Sequence, residues 1–426
     1  MSWDSLLSSL FAVNGESLEP INQKSTNKST NKSNPYNAKD SPHLSGLGMI
    51  ERQVHQSNLV VDYNTIVSNP RVNKLVHYPY DGDVDFGRKI SFEIKHNCAD
   101  LMDDYYIQIK LPFIEGIRWV DDLEYSLIKY IELIINGVSI NILLGEYLKI
   151  RNELYVPLEK RLDNIFYEID HNGDRFQTLL IKIPFFEEEP LPLILMEYSM
   201  IKVQIEFSNL VDVLIPTKNN TELDIIPDIH FESVHQIINY IYLSDKSKEK
   251  YLSKKDLIYY MPFNRVMSDI GSETTDKYQQ LLQLKINFDG YLKDICFVIN
   301  DIVDLENNDY FKFGVDGVWE SLRKFQLKIL GYDTSYEYID SHILSNVIPL
   351  KSNGFVPTHK GIYQYSFTNG SPISSKNVSG FLNMRFIDSL ILNIQTKKMN
   401  GIVNVYGNAH SYLTIINGSC GVYDNN

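Results

Sequence analysis

From about residue 54 onward, apolar and polar residues alternate over short runs, the period-two signature of strands that bury one face. Ile90-Ser91-Phe92-Glu93-Ile94-Lys95 alternates in this way, and Tyr105-Tyr106-Ile107-Gln108-Ile109-Lys110-Leu111 repeats it before Pro112 ends the run. The apolar stretch Ile128 to Ile135 leads into Asn136-Gly137, and Val138 to Ile142 returns. Asn-Gly accepts positive φ at both turn positions, so this segment predicts a hairpin with a type I′ turn. One helix interrupts the strands, between Leu143 and Leu154, where apolar residues recur at steps of three and four. Strands resume over Thr178 to Pro184 and Met200 to Phe207. Between them Pro190 and Pro192 withhold ladder donors and predict an edge or a crossover. Eight or so strands with one inserted helix suit a jelly roll.

A second block repeats the theme. The charged segment Ser244 to Lys255 predicts a polar linker helix; beyond it Leu281 to Phe288 alternates, Asp289-Gly290 predicts a turn, and Ile295 to Ile299 reads as the returning arm of a second hairpin. The last seventy residues hold Gly361-Ile362-Tyr363-Gln364-Tyr365-Ser366-Phe367, the stretch Val378 to Asp388, and Leu413-Thr414-Ile415-Ile416-Asn417-Gly418-Ser419-Cys420-Gly421-Val422. These are short β-type runs beside glycine and serine, which predict closely spaced strands and tight turns with no helix of their own. No repeat of fixed period is visible. The expected architecture is therefore all-β, two tandem jelly-roll barrels with short inserted helices and a flexible N-terminal arm. The expected division is an arm over residues 1–50, a first jelly roll over 51–244, a linker helix over 245–255 and a second jelly roll over 256–426.

The arm changes character sharply. Thr26-Asn27-Lys28-Ser29 is repeated at once as Thr30-Asn31-Lys32-Ser33, with Pro35 and Pro42 beyond. Such a tract buries too little apolar surface to offset its ordering entropy, and reads either as a solvated tether or as a hook for a neighbouring subunit. Before it, Leu6, Leu7 and Leu10 suit an amphipathic turn or two, or a frayed terminus, without the basic start of a signal peptide. The apolar stretch Leu191 to Met196 is too short to span a bilayer, so a soluble protein with at most peripheral membrane contact is expected.

Charge and chemistry narrow the function further. Lys and Arg total 40 against 54 Asp and Glu, a formal charge of −14, which disfavours direct nucleic-acid binding. The 28 tyrosines favour strands and partner-facing surfaces. Cys98, Cys296 and Cys420 are odd in number and far apart, which argues for small core residues in a reducing compartment rather than a disulfide framework. His230 and His235 sit in neither an HxH nor an HExxH pattern, and GxSxG, Walker A and GxGxxG stretches are absent. No catalytic, cofactor-binding or metal-ligating residue is therefore expected, and no cofactor. Glu187-Glu188-Glu189 before a proline reads as a solvated loop. The sequons at Asn219, Asn377 and Asn417 read as incidental.

Several segments in fixed order carry a family resemblance: Tyr130-Ile131-Glu132-Leu133-Ile134-Ile135-Asn136-Gly137, then Gly145-Glu146-Tyr147-Leu148 and Asn152-Glu153-Leu154. Next come Ile181-Lys182-Ile183-Pro184-Phe185-Phe186 with Pro192-Leu193-Ile194, then Ile201 to Phe207 and Tyr240 to Asp245. Tyr365-Ser366-Phe367 and Ser379-Gly380 through Ile387-Asp388 complete the series. Over roughly residues 100 to 426 the chain resembles the double jelly-roll major capsid proteins of nucleocytoplasmic large DNA viruses. The resemblance implies a structural protein of the virion capsid, assembled in the host cytoplasm as homotrimers whose six barrels form pseudo-hexagonal capsomers that tile an icosahedral shell. It implies neighbouring capsomers and minor capsid proteins as partners, with peripheral contact to an internal viral membrane. The first hundred residues depart from the family's usual opening, which keeps a minor capsid paralogue of the same fold in view. A jelly-roll carbohydrate- or receptor-binding module and a cupin-like enzyme are the readings from other classes.

Overall fold

The computed structural model describes residues 71–422, apart from 78, 80, 113–117, 162–164, 170–174, 187–189, 216–228, 254–255, 271–278, 314–320, 331, 334–337, 369–379 and 398–400. The expectations for the arm over residues 1–50, for Glu187 to Glu189 and for the sequons at Asn219 and Asn377 lie outside the described residues.

The first block builds β1 (Arg71–His77), β2 (Lys89–Ile94), β3 (Leu101–Pro112), the single turn α1 (Leu123–Ser126), β4 (Ile128–Ile135), β5 (Val138–Leu144), α2 (Gly145–Tyr155), β6 (Ile165–Ile169), β7 (Arg175–Ile183), β8 (Ile201–Phe207) and β9 (Ser233–Tyr242). They form two antiparallel sheets, β1-β9-β3-β7-β6 and β2-β8-β4-β5. Strand β8 is buried at every second residue, from Ile201 through Val203 and Ile205 to Phe207, as its alternation requires. The predicted hairpin is present: Asn136 and Gly137 have φ of 51° and 79°, and β4 pairs with β5. The proline-rich stretch is a crossover, since Leu191 bridges to Met102 of one sheet before β8 joins the other. Among the described residues of this block two α-helical segments are inserted rather than the one expected. The four-residue α1 is too short to show a helical period in the sequence.

The polar helix α3 (Asp245–Leu252) comes next as expected, though Ser247 and Tyr251 on it are buried. The second block then builds β10 (Asp256–Ile270), β11 (Gln279–Ile286), β12 (Tyr291–Asp301), α4 (Ile302–Glu306), β13 (Leu322–Ile329), β14 (Tyr332–Asp333), β15 (Ile339–Asp340), α5 (Ile348–Asn353), β16 (Tyr363–Ser366), β17 (Leu382–Asn383), β18 (Leu390–Lys397), β19 (Gly401–Ile416) and β20 (Ser419–Val422). Its sheets are β10-β19-β12-β16 and β11-β18-β13-β14, with β17, β20 and β15 as short additions. The hairpin expected at Asp289-Gly290 is not one: β11 pairs with β18, whereas β12 pairs with β19 and β16 in the opposite sheet. Gly290 supplies a positive φ, 82°, for a corner that carries the chain across the barrel. The closing segments are strands and turns as expected, with one 3₁₀ turn at Met384–Phe386, and Asn417-Gly418 repeats the double positive φ of Asn136-Gly137.

The two blocks share one topology. Written in order across each sheet, β1-β9-β3-β7 corresponds to β10-β19-β12-β16, and β2-β8-β4-β5 to β11-β18-β13-β14. Each barrel has its own apolar filling. In the second, Phe297 stacks on Phe325 at 5.5 Å and meets Tyr363 at 5.1 Å, with Leu292, Leu392 and Val405 also fully buried. Side chains of this kind contribute roughly 1.5–3 kcal/mol each on burial. The core of the first barrel extends without a break into residues of the second, including Cys296, Val298, Tyr406, Leu413 and Ile415. The two barrels are thus joined through a shared apolar filling.

Candidate assembly interface at the barrel junction

The junction is built by α2 of the first barrel lying on the outer face of β12 and β19 in the second. Helix α2 begins directly at the end of β5 with Gly145, where a Cβ would collide with the carbonyl oxygens of Tyr125 and Ile128. A glycine is therefore required for the helix to start this close to α1 and β4. The next residue, Glu146, reaches across: Asn300 donates from Nδ2 to its Oε1 at 2.5 Å, and Asn404 donates to its Oε2 at 2.7 Å alongside the Tyr406 hydroxyl. Burial pushes the Glu146 carboxyl above its ordinary pKa, and the three donors pull against that shift.

A second carboxyl faces the same helix from the other side. Asp294 on β12 is fully buried and accepts from Gln364 at 2.5 Å, from Asn408 at 2.6 Å and from the Tyr155 hydroxyl at the end of α2. Tyr147 donates to Asn408, closing a network between the barrels. Burial raises the Asp294 carboxyl above its usual range. A third, Glu153, behaves oppositely. Burial alone would raise it, but the Thr358 hydroxyl at 2.7 Å, the His359 N–H at 3.1 Å and the cations of Lys149 and Arg161 hold it below the usual value. Three acids of α2 and β12 thus find their partners across the junction. Leaving such buried groups unpaired would cost several kcal/mol, so the network also fixes the pairing geometry.

At one end the junction is laced by backbone. Asn136 donates from Nδ2 to the Cys420 carbonyl at 2.8 Å, the Cys420 N–H donates to Ser199 Oγ at 2.8 Å, and the Tyr198 N–H donates to the Gly418 carbonyl at 2.9 Å. The β4–β5 and β19–β20 hairpin tips are therefore tied to the loop before β8. The sequence singled out Asn136-Gly137 as a turn and placed Asn417-Gly418 within the closing run of strands and tight turns, and carried no signal that the two meet.

His230 pairs with Asp85 at 2.6 Å on the surface, and His235 lies on β9 with its pKa lowered by burial. Cys296 and Cys420 are buried thiols pushed upward by desolvation, and Cys98 is half-buried. Among the described residues no group of three or more His, Cys, Asp or Glu is placed to hold a metal ion. Among the same residues no helix is long and apolar enough to cross a membrane.

The outer face of the corresponding sheet in the first barrel is less deeply buried by contrast. On β3, Tyr106, Gln108 and Lys110 are half-buried, beside Ile237 and His235 of β9 and Leu180 of β7. Beyond them β6 forms the sheet's edge with Phe166, Tyr167 and Ile169 exposed. Long tyrosine and isoleucine side chains at such positions favour contact with another protein surface.

Comparison with known proteins converges on one group. Residues 72–244 match the family described as major capsid protein, N-terminus. The chain is 23% identical over 391 residues to the major capsid protein of Pyramimonas orientalis virus, covering 82% of this chain and 89% of that protein. Among solved structures, the PBCV-1 virus capsid superposes with a TM-score of 0.71 at 17% identity, covering 87% of this chain and all of that one. The Faustovirus major capsid protein superposes with a TM-score of 0.60 at 10% identity, covering 87% and 94%.

Proposed function

We propose that the chain, whose residues 72–244 match the family described as major capsid protein, N-terminus, and which is folded as a double jelly roll, is the structural subunit of a large double-stranded DNA virus shell, assembling as trimers. The observation that carries this reading is the junction itself. Two barrels of the same topology are locked side by side by buried, mutually satisfied acids, so each chain delivers a rigid two-barrel block. Three such blocks make six barrels and a pseudo-hexagonal tile, and closed threefold symmetry needs only one pair of complementary surfaces. The tile packs into an icosahedral lattice beside neighbouring capsomers and minor capsid proteins, in the host cytoplasm and against an internal membrane.

The work of such a protein is mechanical. We take residues 51–244 and 256–426 as the two barrel domains, 245–255 as the link and 1–50 as an arm that tethers or hooks a neighbour. The formal charge of −14 supports a shell that does not itself bind the genome. Light scattering with chromatography on the purified chain tests the reading. A stable species near three times 49.3 kDa that forms hexagonal arrays in electron micrographs is expected. A monomer at all concentrations would instead fit a minor, partner-dependent component.

A further inference from the structure

The barrels carry apolar side chains into solvent at the end where the β4–β5 and β19–β20 tips meet the loop before β8. Val138, Tyr198, Met200 and Ile416 stand there, each exposed by between 50% (Ile416) and 71% (Tyr198). Backbone contacts fix their places. Asn136 donates its N–H to the Met200 carbonyl and accepts the Met200 N–H on Oδ1, both at 2.9 Å, which sets Met200 beside the turn that Val138 leaves. The Tyr198 ring lies over Gly418, where an added Cβ would stand 2.7 Å from it, and Gly418 is in the turn that follows Ile416. Single exposed apolar residues are ordinary on a protein surface, whereas a group of them on tight turns marks a surface that another phase or partner covers.

The surface beside this end is basic, in an acidic chain. Helix α3 packs against the 3₁₀ turn Leu193–Leu195 of the same loop, and Lys248 on it pairs with Asp100 at 3.1 Å. The helix buries Ser247 and Tyr251 and exposes Lys246 and Lys250. It ends on the exposed Leu252, four residues before Asp256, which pairs with Ile416 in the sheet. Residues 245–255 hold five lysines against two acids, while the chain as a whole carries −14.

We infer that this end of the barrels is a lipid-contact surface, with Val138, Tyr198, Met200, Leu252 and Ile416 entering the acyl boundary of an anionic bilayer while Lys246 and Lys250 meet its headgroups. Charge complementarity selects the occupant. An apolar group fringed by lysines suits a surface that is apolar below and negative above, where lysine stems lie along the apolar boundary and their ammonium groups reach phosphate. Tyr198 suits the same boundary, with an apolar ring and a hydroxyl that stays wet. Each copy supplies one modest contact, and several copies held in one tile bind by multivalency. The inference rests on the shell reading above, in which a membrane lies against the tile, and it assigns the end of the barrels that faces that membrane.

Flotation of the full-length chain with vesicles of phosphatidylcholine and phosphatidylglycerol in equal parts tests the assignment. The wild type is expected to float with them and to bind pure phosphatidylcholine vesicles more weakly. Tyr198→Ser combined with Met200→Ser is expected to weaken binding at least about tenfold, since two large apolar groups no longer leave water. Lys246→Gln combined with Lys250→Gln is expected to weaken binding to the anionic vesicles by about fivefold per lysine at low salt. All four sites are exposed, so both variants are expected to keep the wild-type circular dichroism spectrum. Val303→Ser changes an exposed residue just past Asp301, which pairs with Gly401 at the opposite end of β19 from Ile416, and is expected to bind as the wild type does. A wild type that floats with neither vesicle, or an equal loss in the Val303 variant, overturns the lipid contact. If that same wild type is a trimer in light scattering, the capsomer reading stands. A wild type that floats as a monomer keeps the lipid contact and overturns the trimer.

Discussion

Strands β3 and β12 hold the same place in their barrels and have opposite surroundings. Every residue of β12 from Leu292 to Asn300 is buried, whereas β3 alternates between buried and half-buried from Tyr105 onward. The difference is written in their sequences. Ile295-Cys296-Phe297-Val298-Ile299 is apolar on both faces, and Tyr105-Tyr106-Ile107-Gln108-Ile109-Lys110-Leu111 on one. A strand covered on both sides reads as a continuous apolar run, and a half-covered strand alternates. Topology therefore fixes where a strand lies, while its outer-face residues record whether its cover is supplied by the same chain.

Removing the cover's polar anchor breaks the comparison most severely. Asp294→Ala leaves the Tyr155 hydroxyl and the Gln364 and Asn408 amides without their acceptor in a buried site. A destabilisation of about 3–5 kcal/mol is expected in urea denaturation, the scale for stripping one partner from a buried charged network. Gln108→Ala, at an outer position of β3, is expected to cost under about 0.5 kcal/mol. Equal costs at the two sites would show that the outer faces do not differ in the way their burial indicates.

A smaller effect separates the strands by pH. His410 on β19 is buried within a box of Tyr291, Phe381 and Tyr412, stacked on Tyr291 at 5.0 Å, and burial with Lys293 nearby lowers its pKa to about 3. The folded chain then binds fewer protons at this site than the unfolded chain between that value and the ordinary 6.5. Stability from His410 is present at neutral pH and is lost as pH falls, by about 2 kcal/mol at pH 5. The raised carboxyls of Glu146 and Asp294 act in the other direction, losing stability as pH rises through their elevated range. Comparing His410→Phe with wild type at pH 7 and pH 5 isolates the histidine. The variant's disadvantage should shrink or reverse at the lower pH, and a pH-independent difference would refute a buried neutral imidazole.

Much of this was legible in the chain. The alternation of β2, β3 and β8, the turn at Asn136-Gly137, the helix α2 and the polar α3 all arise from local periodicity, and the family resemblance supplied the pairing of barrels. The junction was not legible, because Glu146, Asp294 and Glu153 are separated from the partners they meet across it by more than sixty residues, and a lone acid on a helix or strand reads as a solvated one. Only tertiary contact turns those acids into an interface. The turn α1 was missed for its length, and the second hairpin was misread because a dipeptide reports local dihedral angles and not which strands pair.

The two dipeptides allow that last point to be tested with the smallest effect. Gly137 sits in a true hairpin with nothing within 4 Å of where a Cβ would be, so Gly137→Ala meets only the cost of placing alanine at φ 79°. That cost is about 1 kcal/mol. Gly290 has nearly the same dihedral, 82°, but stands at a corner between sheets, where an added Cβ would meet the His410 carbonyl at 3.5 Å and Ala409 at 3.9 Å, ordinary contact distances. Gly290→Ala should therefore cost the same to within a few tenths of a kcal/mol, despite the different pairing of the flanking strands. A markedly larger loss at Gly290 would mean that the corner, unlike the hairpin, depends on its glycine for more than a left-handed backbone.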